Sequence, residues 1–439
     1  MKSRPLGFIL IAAAFPFLAA GSGPDPLHVL AGDPRLHLSM EAPVTVIGGG
    51  GRQPDLFCSS HGTLFCQSQL PLDPFHTKNR MVYPVRLGSA VSRDGGRTWS
   101  RFVHQENHDE VNIEGGMVEL SDGTILLLDT YVVPGAQPDH GVGELWKSHD
   151  DLQTIEGPYD VDVYLPQVAF TGSSDDRGRV HAAVRLHRSI LELPNGDLLS
   201  TIYGRWAGDD APAGYIASML KSRTVVIRSR DHGQSWAYLA TVGLDSGVGT
   251  EGFGEPVLER LARGPHAGRL LCVMRTGRDL YQAHSDDGGV SWSPPTPMSF
   301  PGIDIHRIAQ WDGLFYNHAA PDYVPNDSMI GALVDPDLIE MRNGTLVCAI
   351  GFRAPAKRFF EHWTAPQNGN YLAFSCDGGD SWTEVVQFRS GAPTTQYIGI
   401  REVSPDVLYV VYDAGIWSSL GHKILAPGDT LGFRLTVQR

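Results

Sequence analysis

The sequence predicts an all-β chain folded as a six-bladed β-propeller. Fifty glycines and 30 prolines break its 439 residues into short alternating apolar runs, the mark of a turn-dense chain of strands. A turn of the form Ser-x-Asp-x-Gly-x-x-Trp, an Asp box, stands at 92–99, 229–236, 285–292 and 375–382, and 148–155 repeats it without the Gly and Trp. Two apolar strands flanking one tight turn occur six times, with the turns at Gly62, Gly123, Gly196, Gly268, Gly344 and Asp406. Their intervals of 61, 73, 72, 76 and 62 residues override the roughly three ordinary domains that length alone suggests.

In chain order, the first residues combine a basic start (Lys2, Arg4), an apolar run over 6–20 and a small-residue exit. This is the outline of a secretory signal peptide over 1–22, and the run is short for a membrane anchor. No other stretch is apolar enough to cross a bilayer, so the mature chain is expected to be secreted or periplasmic. A single propeller domain is then expected over 40–439. Each repeated unit holds about four strands around a common axis, with the Ser-x-Asp turn between the third and fourth. In that turn a short carboxylate accepts hydrogen bonds from its own backbone amides, glycine supplies a left-handed φ, and the Trp ring covers the hairpin. Its role is structural. The sixth unit lacks such a turn, and ring closure is expected to borrow a strand near 44–48. The loop over 302–334 exceeds what a connection needs and is expected to cover one face.

A formal net charge of −14 argues against a nucleic-acid surface. Five cysteines make no disulfide framework: Cys272 and Cys348 hold matching strand positions, while Cys58 and Cys66 flank one hairpin and could pair. His140, His306, His318 and His362 show no metal-ligand spacing, so neither a metal site nor a cofactor is expected.

Candidate functional residues come from register. In a propeller the innermost strand of each unit lines the central channel, and its first residues open on one mouth. Counting back from each hairpin turn gives Arg52, Glu114, His187 with Arg188, Glu255, Asp335 and Tyr397. Counting forward along the second strand gives Arg205, Arg275, Arg353 and Asp413. These polar heads on otherwise apolar strands are expected to converge. A surplus of arginine there suits an anionic small substrate, because guanidinium forks bind carboxylates bidentately.

At these residues the sequence resembles the sialidase (neuraminidase) superfamily, from about Val44 to the end of the chain. Arg52-Gln53-Pro54 resembles the Arg-Ile-Pro motif that supplies the family's first substrate arginine. Glu255-Pro256, followed by a strand ending on Arg275, resembles its Glu strand and second arginine. Gln396-Tyr397-Ile398-Gly399-Ile400 is similar to the strand that carries its nucleophile. The resemblance implies an exo-acting glycoside hydrolase that removes a terminal acidic sugar from a glycan or glycoconjugate. Tyr397 would be the nucleophile, Glu255 its activating carboxylate, and Arg52, Arg275 and Arg353 the carboxylate clamp. Glu114, His187, Arg188 and Asp335 are expected to line the substrate site. The family's general acid has no counterpart in 76–89, which holds no acidic residue; Asp73 lies just upstream and Glu114 or Asp335 could reach from other units, but none of them matches the family's motif.

The chemistry of the couple stands apart from the resemblance. A free phenol, with a pKa of about 10, is a poor nucleophile at neutral pH, and a carboxylate within hydrogen-bond reach can take its proton during attack. A neutral nucleophile also approaches an anomeric carbon bearing a carboxylate without charge repulsion, outside the usual two-carboxylate rule. Two other readings fit the same residues. One is a polysaccharide lyase or another glycan hydrolase, with His187 and Tyr397 suited to proton abstraction. The other is a glycan-binding propeller that kept the scaffold and lost the acid.

Overall fold

A computed structural model describes residues 27–70, 86–103, 112–171, 175–176, 179–180, 182–214, 219–306, 330–356, 364–417, 424–426 and 428–439. The expected signal peptide, Asp73, most of the 302–334 loop, His318 and His362 lie outside them. The described chain is all-β; its helical content is two three-residue 3-10 turns, Ile113–Gly115 and Gly264–His266.

The inner hairpins form where the apolar runs and turns put them. Arg52–Cys58 pairs antiparallel with Leu64–Leu70, Met117–Glu119 with Ile125–Leu128, and Val184–Glu192 with Leu198–Trp206. Gly254–Arg260 pairs likewise with Leu270–Arg275, Ala332–Glu340 with Leu346–Arg353, and Ile398–Ser404 with Val407–Asp413. Each turn carries one left-handed residue, with φ between 79° and 96° at the five glycines and 62° at Asp406. Aspartate tolerates that region because its short side chain bonds locally.

Third and fourth strands extend these hairpins into antiparallel meanders. The second and third meanders join into one ten-stranded sheet through an antiparallel contact of Tyr131–Pro134 with Val184–Glu192 and two parallel contacts. Glu156–Tyr164 runs beside Ser235–Gly243, and Met117–Glu119 beside Val184–Glu192. Closure draws on more of the N-terminal segment than expected. Both His37–Met40 and Val44–Ile47 pair with Thr430–Gln438, and His28–Ala31 adds to Glu384–Ser390. Strand pairing thus begins ahead of residue 40.

The apolar core lies between neighbouring meanders rather than at one centre. Phe57, Phe65 and Trp146 join the first to the second; Val161, Leu186 and Trp236 join the second to the third. Leu199 and Val226 meet Leu258 and Cys272, and Leu271 and Val273 meet Ile350 and Tyr371. Phe374 and Phe388 meet Val410 and Phe433, and Tyr409 and Val411 return to Leu56 and Cys66. Face-to-face packing that passes from each sheet to the next and back to the first is a propeller-like arrangement. Each fully buried Val, Leu, Ile or Phe in it stabilises the chain by about 1.5–3 kcal/mol. At the returning seam, Tyr409 Oη donates to the Gly96 carbonyl at 3.0 Å and accepts from Trp99 Nε1 at 2.9 Å. A Cβ at Gly96 would lie 1.9 Å from the Tyr409 ring. The cysteines are free; across the hairpin Cys58 faces Leu64 and Cys66 faces Leu56, so the pairing left open for them does not form.

The Ser-x-Asp turns behave as their chemistry requires. Asp231 Oδ1 accepts from the Ser235 amide at 2.9 Å and the Ser229 hydroxyl at 2.8 Å, while the Ser229 Oγ accepts from the Gly233 amide at 2.9 Å. The copy at 148–155 keeps the same bonds: Asp150 Oδ1 accepts from Thr154 N at 2.8 Å and Ser148 Oγ from Leu152 N at 2.9 Å. Asp151 and Leu152, with φ of 54° and 60°, stand in for its missing glycine.

A second device links consecutive inner hairpins. The glutamate that ends an inner strand accepts from the backbone of the preceding turn: Glu119 from Ser60, Glu192 from Ser121, Glu340 from Ala262 and Arg263, and Glu402 from Arg342. In the third turn the equivalent residue is Pro194, which has no N–H to give. The facing strand there carries Arg260 in place of glutamate.

Candidate active site

The heads of the inner strands depart from a plain pleat. Gln53, Arg188, Glu255, Asp335 and Gln396 are left-handed, with φ of 50°, 64°, 40°, 48° and 66°. Pairing slips at the first four: Gly254 faces Arg275 but Val257 faces Val273, and Val334 faces Gly351 but Asp337 faces Ala349. Such a bulge inserts a residue and re-aims its side chain. Each non-glycine residue held there costs on the order of 1–3 kcal/mol and persists only where its surroundings fix it.

Glu255 is fixed from two sides. Tyr397 Oη donates to its Oε1 at 2.7 Å, and Arg275 Nη1 donates to both its oxygens at 2.8 Å. Tyr397 follows the left-handed Gln396, so it stands one residue beyond the place that Glu255 and Asp335 hold in their strands. The other edge of the Arg275 guanidinium meets Glu251: Nη2 donates to Oε1 at 3.0 Å, and Nε lies 2.9 Å from Oε2. Arg353 sits 5.7 Å from the Tyr397 ring centroid and donates to Gln396 Oε1 at 3.3 Å and the Thr395 carbonyl at 3.1 Å. Asp413 accepts from the Thr394 hydroxyl and the Thr395 amide at 2.7 Å, and from the Gln53 amide at 2.9 Å. Arg52 is buried next to Gln53 in the same strand and does not line the opening described below.

The electrostatics separate the two partners of the couple. Burial, and then the Glu255 charge, push the Tyr397 phenol well above its ordinary value, so it stays protonated. Burial alone would raise Glu255 too, but the Arg275 charge, followed by His187, brings it below the usual carboxylate range. A neutral phenol therefore donates to an ionised acceptor. Beside Arg275 and Arg353 a small opening is lined by Thr250, Glu251, Arg275, Arg278, Ala332 and Arg353, among others; Glu255 and Tyr397 lie behind Arg275 and Arg353 and do not line it.

The remaining residues named from register are held by buried partners. Arg185 Nη2 donates to Glu114 Oε1 at 2.6 Å. Arg188 donates to the Ile398 carbonyl and to Asp335 Oδ2, both at 2.6 Å, and lies 3.5 Å from Asp55. Asp337 accepts from Arg401 at 2.8 Å and from the Ile400 amide at 2.9 Å. Burial, opposed by Arg188, raises Asp335 well above its ordinary value. His187 is fully buried; burial, then the Arg188 charge, lowers its pKa to about 3. Its Nδ1 lies 2.9 Å from the Pro256 carbonyl, which can only accept, so the neutral ring carries its proton there. Glu114, His187, Arg188 and Asp335 do not line the opening. Arg205 turns to Asp209 and Asp210 instead.

Sequence reasoning passed over Glu251, Arg278, Gln396, Arg185 and Arg401. For Glu251 the available signal was one acid in a glycine-dense loop, Gly247-Val248-Gly249-Thr250-Glu251-Gly252. Among the described residues no group of His, Cys, Asp and Glu is arranged to hold a metal ion, and no helix is long and apolar enough to cross a membrane.

No protein-family model and no curated protein matches the sequence. Solved structures match in fold. A protein of unknown function from Dyadobacter fermentans aligns at 16% identity with a TM-score of 0.60, over 92% of this chain and 100% of its own. A Hadza microbial sialidase aligns at 15% identity and 0.52, over 91% of this chain and 68% of its own. An α-L-arabinanase from Penicillium chrysogenum, complexed with arabinobiose, aligns at 16% and 0.52, over 91% and 98%. At such identities the likeness is one of fold.

Proposed function

We propose that this chain is a glycoside hydrolase working at the mouth of a six-bladed propeller, with Tyr397 as nucleophile and Glu255 as the base that takes its proton. The observation that carries this reading is the buried 2.7 Å hydrogen bond from Tyr397 to a glutamate held ionised by Arg275. The six hairpins and the apolar seams between their meanders support six blades. Two fold neighbours, a sialidase and an arabinanase by name, support glycosidic-bond chemistry on such a scaffold.

In this scheme the Tyr397 oxygen bonds to the anomeric carbon as the bond to the leaving oxygen breaks. The phenolic proton passes to Glu255, and the leaving oxygen takes a proton from a separate acid, a role open to Asp73. Arg275 keeps the acceptor ionised before attack while lowering its basicity, so it tunes the couple as well as holding it. Glu114, paired with Arg185, and Asp335, paired with Arg188, tie the strand heads to one another. His187, neutral and fully buried, offers no base to a substrate, which leaves the lyase reading without its histidine. With the leader read over 1–22, the activity belongs outside the cytoplasm.

The test is Tyr397→Phe on a panel of 4-nitrophenyl glycosides. Loss of the nucleophile is expected to lower kcat by on the order of 10⁴–10⁶, while the missing hydrogen bond to Glu255 costs about 1.5–3 kcal/mol of stability and leaves the ring packed. Undiminished turnover removes the mechanism.

A further inference from the structure

We propose that Glu251 sets the substrate class of this site: it occupies the arginine that would bind a carboxylated sugar, so the site takes neutral glycans. The catalytic arm of this inference rests on the hydrolase reading; the binding arm does not.

A guanidinium has five N–H donors in a fixed fork. In Arg275, Nη1 is committed to both Glu255 oxygens at 2.8 Å. The Nη2–Nε edge faces Glu251, at 3.0 Å and 2.9 Å from its two oxygens. Nη2 donates to Glu251, and Nε, close to the second oxygen, is out of line for a hydrogen bond, so Glu251 fills the edge where a substrate carboxylate would sit on an arginine clamp. The chain has placed its own carboxylate there. Arg353 and Arg278, on the same opening, already donate to Gln396 and Thr395 and to the Gly277 carbonyl.

The position of Glu251 is built rather than incidental. Its amide donates to the Thr276 carbonyl at 3.1 Å, and its carbonyl accepts from the Ser222 amide at 2.8 Å. Thr250 is tied the same way, to Thr276 at 2.9 Å and to the Gly214 amide at 2.8 Å. Gly252, at φ +73°, lets the loop pass where a Cβ would lie 2.4 Å from the Ser222 carbonyl oxygen. The backbone therefore delivers this side chain to Arg275, and it is only 15% exposed there.

The experiment compares the full chain with E251Q and E251A. Binding of methyl α-L-arabinofuranoside and methyl β-D-galactoside is measured against N-acetylneuraminic acid and D-glucuronic acid by calorimetry, and turnover is measured with the matching 4-nitrophenyl glycosides. The native chain is expected to favour the neutral sugars in both readouts. Each variant is expected to move the anionic-to-neutral ratio at least about tenfold toward the anionic sugars, the gain of one freed charge-assisted pair. E251Q keeps the shape of the side chain, so a ratio that moves in both variants while their unfolding stays native is not a folding artefact. A native preference for an anionic sugar overturns the proposal, as does an unmoved ratio in both variants or binding of none of the four probes. Absence of turnover with the binding ratio moving as expected would defeat the hydrolase reading and leave the specificity of Glu251 standing.

Discussion

Replacing Arg275 with leucine isolates what holds the couple together. Arg275 and Glu255 have side chains only 9% and 10% exposed, so solvent does little to screen their attraction. Removing one partner of such a pair costs about 3–5 kcal/mol, because the other is left buried and uncompensated. The pH dependence is the sharper readout. In the native chain Glu255 is held below its ordinary range. Its contribution to stability is therefore present above the unfolded value of about 4.3 and lost as pH falls below it. In R275L, burial acts on Glu255 without its main opponent and raises its pKa. The contribution then becomes greatest below about 4.3 and is lost as pH climbs through the raised value. Guanidinium titrations near pH 4.5 and pH 8 measure both effects. The variant should lose more stability at the higher pH, the opposite sign to the native contribution from this group. R275L/E255Q should recover the part of the loss that belongs to Glu255, leaving the part from Glu251, which also loses its Arg275 partner. A deficit at pH 8 smaller than about 1 kcal/mol, well under the range for a broken buried pair, would refute the reasoning. So would an unchanged pH slope.

Two further outcomes are expected. G96A places a methyl group 1.9 Å from the Tyr409 ring at a residue with φ +86°; overpacking of this kind costs about 1–3 kcal/mol, and the left-handed φ adds to it. Thermal unfolding reads that loss, and a midpoint equal to the native one would show that the seam yields. His187, lowered to about 3 by burial and then Arg188, is expected to show no imidazole titration by NMR between pH 5 and 8. Because it is neutral when folded and gains a proton when unfolded, it favours the native chain above about 6.5 and ceases to do so as pH falls toward its folded value. A normal titration in the folded chain would place the ring in water.

The hairpins were legible because each needs a left-handed residue at one spot, and Gly62, Gly123, Gly196, Gly268, Gly344 and Asp406 are residues that tolerate it. The meeting of Glu255, Arg275 and Tyr397 was legible for a related reason: a polar residue heading an apolar strand has to find a partner. The bulges were not, since nothing in the alternation of Gly254–Arg260 marks the inserted residue, and the left-handed Gln396 that carries Tyr397 one place further along is equally unmarked. Nor was Glu251, whose loop has neither period nor hydrophobic face. The substrate roles anticipated for Arg188 and Asp335 assumed open side chains. Each instead lies within 2.6 Å of the other, an ion pair that distance along the sequence conceals.

The glutamates that close onto preceding turns make the repeats order-dependent. A strand ending in Glu192 or Glu340 presupposes a neighbour whose turn offers an amide, and Arg260 presupposes the proline that offers none. Shuffling whole units would strand a carboxylate opposite Pro194 or leave amides beside a guanidinium. A permuted or grafted version of this ring keeps its joints only when the cut falls within a unit, so that each turn travels with the strand that reads it.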